Sequence, residues 1–469
     1  MNDGMAQSSA IFLFLRYSLG DKVDLSMVVA NMDWRQLYSF ATKQTIIGIC
    51  FDGIKRLSEE YPEELKKNPI ERDLLMTWMG VSQQIRRQNM KVNAVAGKLF
   101  AMLREDGMWC CILKGQGNAL MYPNAYSRNP GDIDVWVNAS REQITEYAKK
   151  HFELGDDIRY QHIETSADGV PVELHFFPCT MNNPIYNARL QKWFKRNVDL
   201  QCSNVVSLPD GIGEIAIPTT AFNVIYQLTH LYHHFFDEGI GMRQIIDYFL
   251  VVNDFSKNVF LDYDFSNHPV PLSKEGSTFS PSPSSSGSGD VTAPSRCSEP
   301  LRSKDGGPSK VSPDCAGWDR RDVSGDTSSV SCSSVSGSSI TSVRSASTTD
   351  PSASTSLVVV QRELKYLGLW KFAGAVMYVL HEALGLSGEK MIAPMDEKRG
   401  KLLLAEILEG GNFGRHFTKY GHFTQQGMAK KYFLKIWRNM HFVRYYPAEA
   451  LSEPIFRTWH FFWRMKNKK

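Results

Sequence analysis

The apolar positions of this chain change period along its length, and the changes divide it. Up to about residue 105 they recur at helical spacing. Trp34, Leu37, Tyr38 and Phe40 lead into Ile46, Ile47, Ile49 and Phe51. A longer amphipathic run starts near Ile70 and carries Leu74, Leu75, Trp78, Met79, Val81, Ile85, Met90, Val95, Leu99 and Met102. Arg86-Arg87-Gln88-Asn89 lies on its wetter side, and Asp106-Gly107 predicts its end. Residues 1–105 therefore read as an N-terminal helical region.

Between 106 and 218 the pattern shortens to that of strands and turns. Trp109 to Leu113 is a continuous apolar run that ends in Lys114-Gly115-Gln116-Gly117, a turn with a helix starting in it. Gly131-Asp132-Ile133-Asp134 then enters a second apolar run, Val135-Trp136-Val137. Ser140 is placed to cap a helix over 141–152. Residues 158–165 and 170–177 read as strands joined at Ala167-Asp168-Gly169, a hairpin signal. A second hairpin is expected within 204–218, around Pro209-Asp210-Gly211.

Helical spacing returns over 219–263, with Thr219-Thr220 as the expected cap and Phe222, Ile225, Leu228, Tyr232 and Phe235 as the apolar stripe. After a break at Gly239–Gly241, Arg243 and Asp247 stand four apart on the next helix and are expected to pair. Residues 264–356 hold runs such as PSPSSSGSGD and SSVSCSSVSGSS, too polar to build a core, and are expected to be a disordered insert. From 357 to 469 a C-terminal helical region follows, with Leu364, Leu367, Trp370, Phe372, Val376, Val379 and Leu380 as its stripe. It should pack with the helices before the insert, because long surface insertions carry a modest closure cost. Its tail holds ten Lys/Arg against two Asp/Glu from Lys430 onward, interleaved with aromatics that are expected mainly to cover the core. The fold class is α+β: a small mixed sheet flanked by helical regions.

Chemistry concentrates where the period is shortest. On a strand, Asp132 and Asp134 project to one face, roughly 6–7 Å apart, while Ile133 points to the other. Two such carboxylates favour a neutralising cation, and an all-oxygen set suits Mg²⁺, with Mn²⁺ as its substitute, rather than Zn²⁺. Glu173 and His175 share a face of a later strand, opposite Val172, Leu174 and Phe176. Metal ions held by two or three carboxylates align phosphoryl and nucleotidyl transfer, and a glycine-containing turn at a helix start can receive phosphate. Lys114, Gly115, Gln116 and Arg128 are the candidates for that grip. His230 and His234 on the later helix, with Arg243 and His175, are candidates to line the cleft.

These motifs resemble a known family. LKGQGNALMYP, the GDIDVWV that follows, VELHFF, and HLYHHF with GIGMRQIIDY look like a bacterial family of uncharacterised nucleotidyltransferases within the DNA polymerase β-type superfamily. The resemblance covers roughly residues 30–260. It implies transfer of a nucleoside monophosphate from an NTP to an acceptor, with Asp132 and Asp134 as metal ligands, Glu173 as third carboxylate, and Gly115 and Gln116 at the phosphate turn. A non-catalytic nucleotide-binding or scaffold protein of the same fold is the alternative. The acceptor stays open among small molecule, protein and tRNA. Two features depart from the superfamily: Gln116 stands where Gly or Ser is usual, and the interval from Gly115 to Asp132 is longer.

Composition narrows the picture little further. A formal charge of +3 is too mild to indicate nucleic acid, so binding of nucleic acid through the basic tail is not favoured. The eight cysteines form no CxxC pair and read as reduced thiols. No apolar run reaches the length of a membrane span, and a cytoplasmic location is expected.

Overall fold

A computed structural model describes residues 2–258, 351–417 and 428–467. Helices α1 (Asn2–Ser18), α2 (Ser26–Ala30), α3 (Trp34–Gln44), α4 (Ile47–Glu60), α5 (Pro62–Lys67) and α6 (Arg72–Glu105) form the expected N-terminal helical region. The last of these stops before Gly107, whose φ of +75° only glycine adopts cheaply. The strands are β1 (Cys110–Leu113), β2 (Ile133–Val137), β3 (Leu154–Ile158), β4 (His162–Ala167) and β5 (Val170–His175). The short helix α7 (Gly115–Ala119) follows β1, and α8 (Arg141–His151) follows β2.

The five strands form one mixed sheet in the order β1-β2-β5-β4-β3. Only the β2–β5 pair is parallel; the others are antiparallel. The β4–β5 hairpin closes through Asp168 and Gly169, both at positive φ, as a two-residue primed turn requires. Ser140 caps α8 in a reciprocal capping box with Gln143.

Period-two patterning explains how the sheet sits between two cores. Cys110, Ile112, Ile133, Val135, Val137, Val172 and Leu174 pack with the second half of α6 and with Ile144 and Ala148 of α8. The alternate residues Cys111, Leu113 and Trp136 face the larger helical core instead. Asp134, Glu173 and His175 have the parity of Trp136, so they open on the helical side.

That side is built by α9 (Pro184–Ser203), α10 (Thr220–Asp237) and α11 (Met242–Asn258), with a separate two-stranded hairpin of β6 (Val205–Ser207) and β7 (Glu214–Ala216) between α9 and α10. The chain beyond the insert adds α12 (Pro351–Tyr366), α13 (Trp370–Leu384), α14 (Glu397–Gly410), α15 (Met428–Met440) and α16 (Pro447–Asn467). These belong to the same compact unit as the N-terminal half. Arg16 of α1 reaches the C-terminal carbonyls of α13, donating to Glu382 O at 2.5 Å and His381 O at 3.2 Å. Gln44 of α3 donates to Ile407 O of α14 at 3.0 Å.

The insert expected over 264–356 lies, up to residue 350, outside the described residues. Three local expectations are corrected. Thr219 makes no capping bond; its N–H and hydroxyl donate to Gln201 Oε1. Arg243 does not pair with Asp247, which is bound instead by Arg128. The tail aromatics divide: Phe442 and Tyr446 are buried, but Phe433, Trp459, Phe461 and Phe462 are exposed. The five cysteines among the described residues are all free and buried, and no described helix is long and apolar enough to cross a membrane.

Helix α4 carries a testable close approach. A Cβ on Gly48 would lie 2.3 Å from Ser127 O, in the loop that leads to Arg128. Alanine is better than glycine in a helix by about 1 kcal/mol. Here the clash is with backbone, so Gly48→Ala should nonetheless lower stability by about 1–3 kcal/mol. A urea midpoint equal to or above that of the parent would show that this contact is looser than described.

Candidate active site

The sheet's helical side opens into a cavity of about 570 Å³. Asp134 and Glu173 face each other across the parallel β2–β5 pairing, and Asp132 sits just before β2. One carboxylate oxygen from each of the three lies within 4.8 Å of the others. Asp132 is exposed, Glu173 half-buried and Asp134 buried. Lys114, at the end of β1, holds φ at +52°, a left-handed conformation that a lysine adopts only under constraint. The bend directs Nζ to 3.0 Å from Asp134 Oδ2 and 2.9 Å from His230 Nε2.

A continuous hydrogen-bonded chain results. His175 Nε2 donates to Asp134 Oδ1 at 3.0 Å and lies 3.2 Å from Glu173 Oε2. On the far side of Lys114, His234 Nε2 and His230 Nε2 are 3.1 Å apart. Lys114 must donate, so His230 Nε2 accepts and its proton belongs on Nδ1; this tautomer is inferred from the network. Gln161 Nε2 donates to Pro178 O at 2.9 Å and lies 3.3 Å from His175 Nδ1, an orientation that suits a neutral Nε2–H ring; the charged ring needs the amide turned over. A flip of that amide would present Oε1 to an Nδ1–H instead.

The electrostatics separate the three carboxylates. Asp134's negative charge, then burial, pushes the Asp132 carboxyl up to about 6, against the pull of Lys114. Burial would raise Asp134 too, but Lys114 and His175 outweigh it and hold it well below the ordinary range. Glu173 is also held down: burial is opposed by the His175 hydrogen bond and by the nearby imidazoles. Asp132 is thus the raised member of the three. Burial opposes charge on His175, yet its bonds to Asp134 and Glu173 hold it at about 9. Burial, then the Lys114 charge, keeps His230 uncharged, and burial, then His233 and Lys114, holds His234 down at about 3.

Other sequence candidates are placed as follows. Gly115 lines the cavity, but the Gln116 side chain turns into the protein, where it donates to Asn93 Oδ1. Arg128 reaches the cavity wall but is spent on Asp247, in a bidentate pair with both bonds at 2.8 Å. His175, His230, His234 and Arg243 all line the cavity. Arg243 Nη1 donates to Asn129 O at 3.3 Å, its Nε is buried without a partner, and its guanidinium sits 5.7 Å from the Phe413 ring.

Several lining residues were not singled out from sequence: His162, Arg159, Asp237, Glu238, Arg415 and Lys435. Lys435 pairs with Asp237 at 2.9 Å, and Arg159 pairs with Glu164 at 2.5 Å. Arg415 arrives because two glycine loops lie backbone to backbone at the cavity rim. A Cβ on Gly241 would meet Asn412 Cα at 2.7 Å, and one on Gly239 would meet Gly414 Cα at 3.2 Å. Between them Phe413 adopts a φ of +53°, with its ring 5.3 Å from that of His234.

Three oxygen ligands on a rigid sheet, one raised by unrelieved like charge, fit a hard divalent cation. The model of a family described as uncharacterised nucleotidyltransferase matches residues 30–266, which span β1 to β7 and α10 and α11. No curated protein and no solved structure matches the chain.

Proposed function

Because the chain belongs to the family of uncharacterised nucleotidyltransferases, we propose that it moves a nucleoside monophosphate from an NTP to an acceptor, with release of pyrophosphate. The observation that carries this reading is the juxtaposition of Asp132, Asp134 and Glu173 on the wall of a cavity that Lys114 and Arg243 also line. Cavities of roughly 300–1,000 Å³ are the usual size for small-molecule ligands. Asp132, Asp134 and Glu173 would hold Mg²⁺, which supplies charge for the triphosphate and its developing pyrophosphate.

The chain's own cations complete the assignment. Arg243 is a largely buried guanidinium with no carboxylate at ion-pair distance among the described residues, an arrangement that favours an anionic guest. Lys114 is shared between Asp134 and His230, and turns to phosphate when Asp134 engages a cation. Gly115 keeps the wall free of a side chain where phosphate would approach. Glu173, held ionised by His175, serves as ligand rather than base. Arg128 is a structural cation. The acceptor class is left to experiment: labelled NTPs incubated with protein and cell extract would identify the fraction that becomes labelled.

Calorimetry tests the site. With Mg²⁺ present, Asp132→Asn is expected to weaken NTP binding about ten- to a hundredfold, and without Mg²⁺ the two proteins should bind alike. Equal affinities in the presence of Mg²⁺ would sink the assignment. One feature favours a second reading, a nucleotide-binding protein without turnover: Lys114 and His175 already neutralise Asp134. That reading predicts intact Mg²⁺-dependent binding and no pyrophosphate release with any acceptor.

A further inference from the structure

The β4–β5 hairpin holds a second ligand set whose chemistry differs from that of the three carboxylates. His162 and His175 are directly paired across the hairpin, and Glu173 lies two residues before His175 on the same face. Their donor atoms all lie within 4.8 Å of one another. His162 Nδ1 is 3.2 Å from Glu173 Oε2, and His175 Nε2 is also 3.2 Å from that oxygen. Tetrahedral ligands at bond lengths of about 2.0–2.1 Å stand about 3.3–3.4 Å apart. The hairpin therefore holds each imidazole at nearly the spacing from Glu173 that a bound ion would impose.

An independent observation points to a guest. His162 is 9 % exposed, and neither of its ring nitrogens has a hydrogen-bond partner. Its Nδ1 is close to Glu173 but misaligned for a hydrogen bond. A buried imidazole with both nitrogens unsatisfied is costly unless something else takes a lone pair. Groups that could orient the rings lie nearby: Glu164 Oε1 is 3.9 Å from His162 Nε2, and the Gln161 amide faces His175 Nδ1. Ligand histidines are commonly oriented by such partners on the other nitrogen.

We propose that His162, Glu173 and His175 form a site for a divalent ion of the Zn²⁺ class, with its fourth position open to the cavity; the ion takes the place of the proton that His175 Nε2 otherwise donates to Asp134, and that proton leaves to solvent. Two imidazoles and one carboxylate select Zn²⁺, Co²⁺ or a similar ion over Mg²⁺, which prefers oxygen. The site does not rest on the nucleotidyl-transfer reading, although the two ions would share Glu173 and so influence each other's affinity.

The test uses the full chain stripped with EDTA and titrated with Co²⁺, whose visible ligand-field bands intensify in tetrahedral surroundings. Wild type should bind one equivalent with tetrahedral bands, and added Zn²⁺ should abolish them. His162→Gln should weaken that binding at least tenfold, while His162→Cys, which restores a soft donor at the same place, should recover it. Asp132→Asn should leave the Co²⁺ bands intact, which separates this site from the three-carboxylate cluster. Equal Co²⁺ affinity in wild type and His162→Gln, or bands lost on Asp132→Asn, overturns the proposal. Failure of His162→Cys to recover the bands, with its urea midpoint at the wild-type value, overturns it as well.

Discussion

Replacing Arg128 by alanine is expected to cost about 3–5 kcal/mol of stability, because it leaves the buried Asp247 carboxylate uncompensated. Both residues are 5 % exposed. The guanidinium makes two 2.8 Å bonds to Asp247, and the Tyr122 hydroxyl donates to the same carboxylate at 2.6 Å. The Asn89 amide, from α6, fixes the loop further by donating to Arg128 O at 2.8 Å. Together these contacts tie the loop between α7 and β2 to α11, and so set where β2 presents Asp132 and Asp134. Chemical denaturation would read the loss as a midpoint shift. A double replacement, Arg128→Met with Asp247→Leu, should recover much of it, since an apolar pair carries no unpaired charge. If Arg128→Ala leaves stability unchanged but weakens nucleotide binding, the residue is a phosphate contact after all.

This pair also shows where sequence reasoning stops. Arg243 and Asp247 have helical pairing distance, but Asp247's partner comes from 119 positions away, and no local spacing encodes that choice. The cavity's far wall has the same origin: Arg415 and Lys435 reach the sheet only through tertiary packing across a long insert. In contrast, the two-faced strands were legible. Alternation placed Ile133 opposite Asp134 and Val172 opposite Glu173, and both hold. His162 was legible too, by arithmetic on the hairpin. A two-residue Asp168-Gly169 turn pairs Ala167 with Val170, and counting back from there sets His162 against His175. Gln116 illustrates a different limit. Its place in the turn was readable, but its side chain leaves the cavity to meet Asn93 on α6.

The acid response of the molecule should be dominated by histidines that cannot take a proton while folded. His230 and His234 are held 3.1 Å apart beside Lys114, and burial and that charge push both below the ordinary histidine value, His234 down to about 3. Above pH 6.5 the rings are neutral in both folded and unfolded chains, so they contribute no pH dependence. Below it the unfolded chain binds protons that the folded chain refuses, and stability falls until the folded rings also titrate. Each ring contributes about 1.4 kcal/mol per pH unit in that window. Asp132, raised to about 6, and Glu449, raised to about 7 chiefly by burial, act in the opposite direction as pH falls. The wild-type curve thus mixes the two signs, and a difference experiment isolates the histidine contribution. His234→Gln keeps a donor toward His230 and removes one titrating group. Measured by urea denaturation in EDTA, its stability relative to wild type should rise by about 4 kcal/mol between pH 6.5 and pH 3.5. A difference that stays constant across that range would mean that the folded protein protonates His234 readily, and that the chain from His234 through Lys114 to Asp134 is not held neutral at its histidine end.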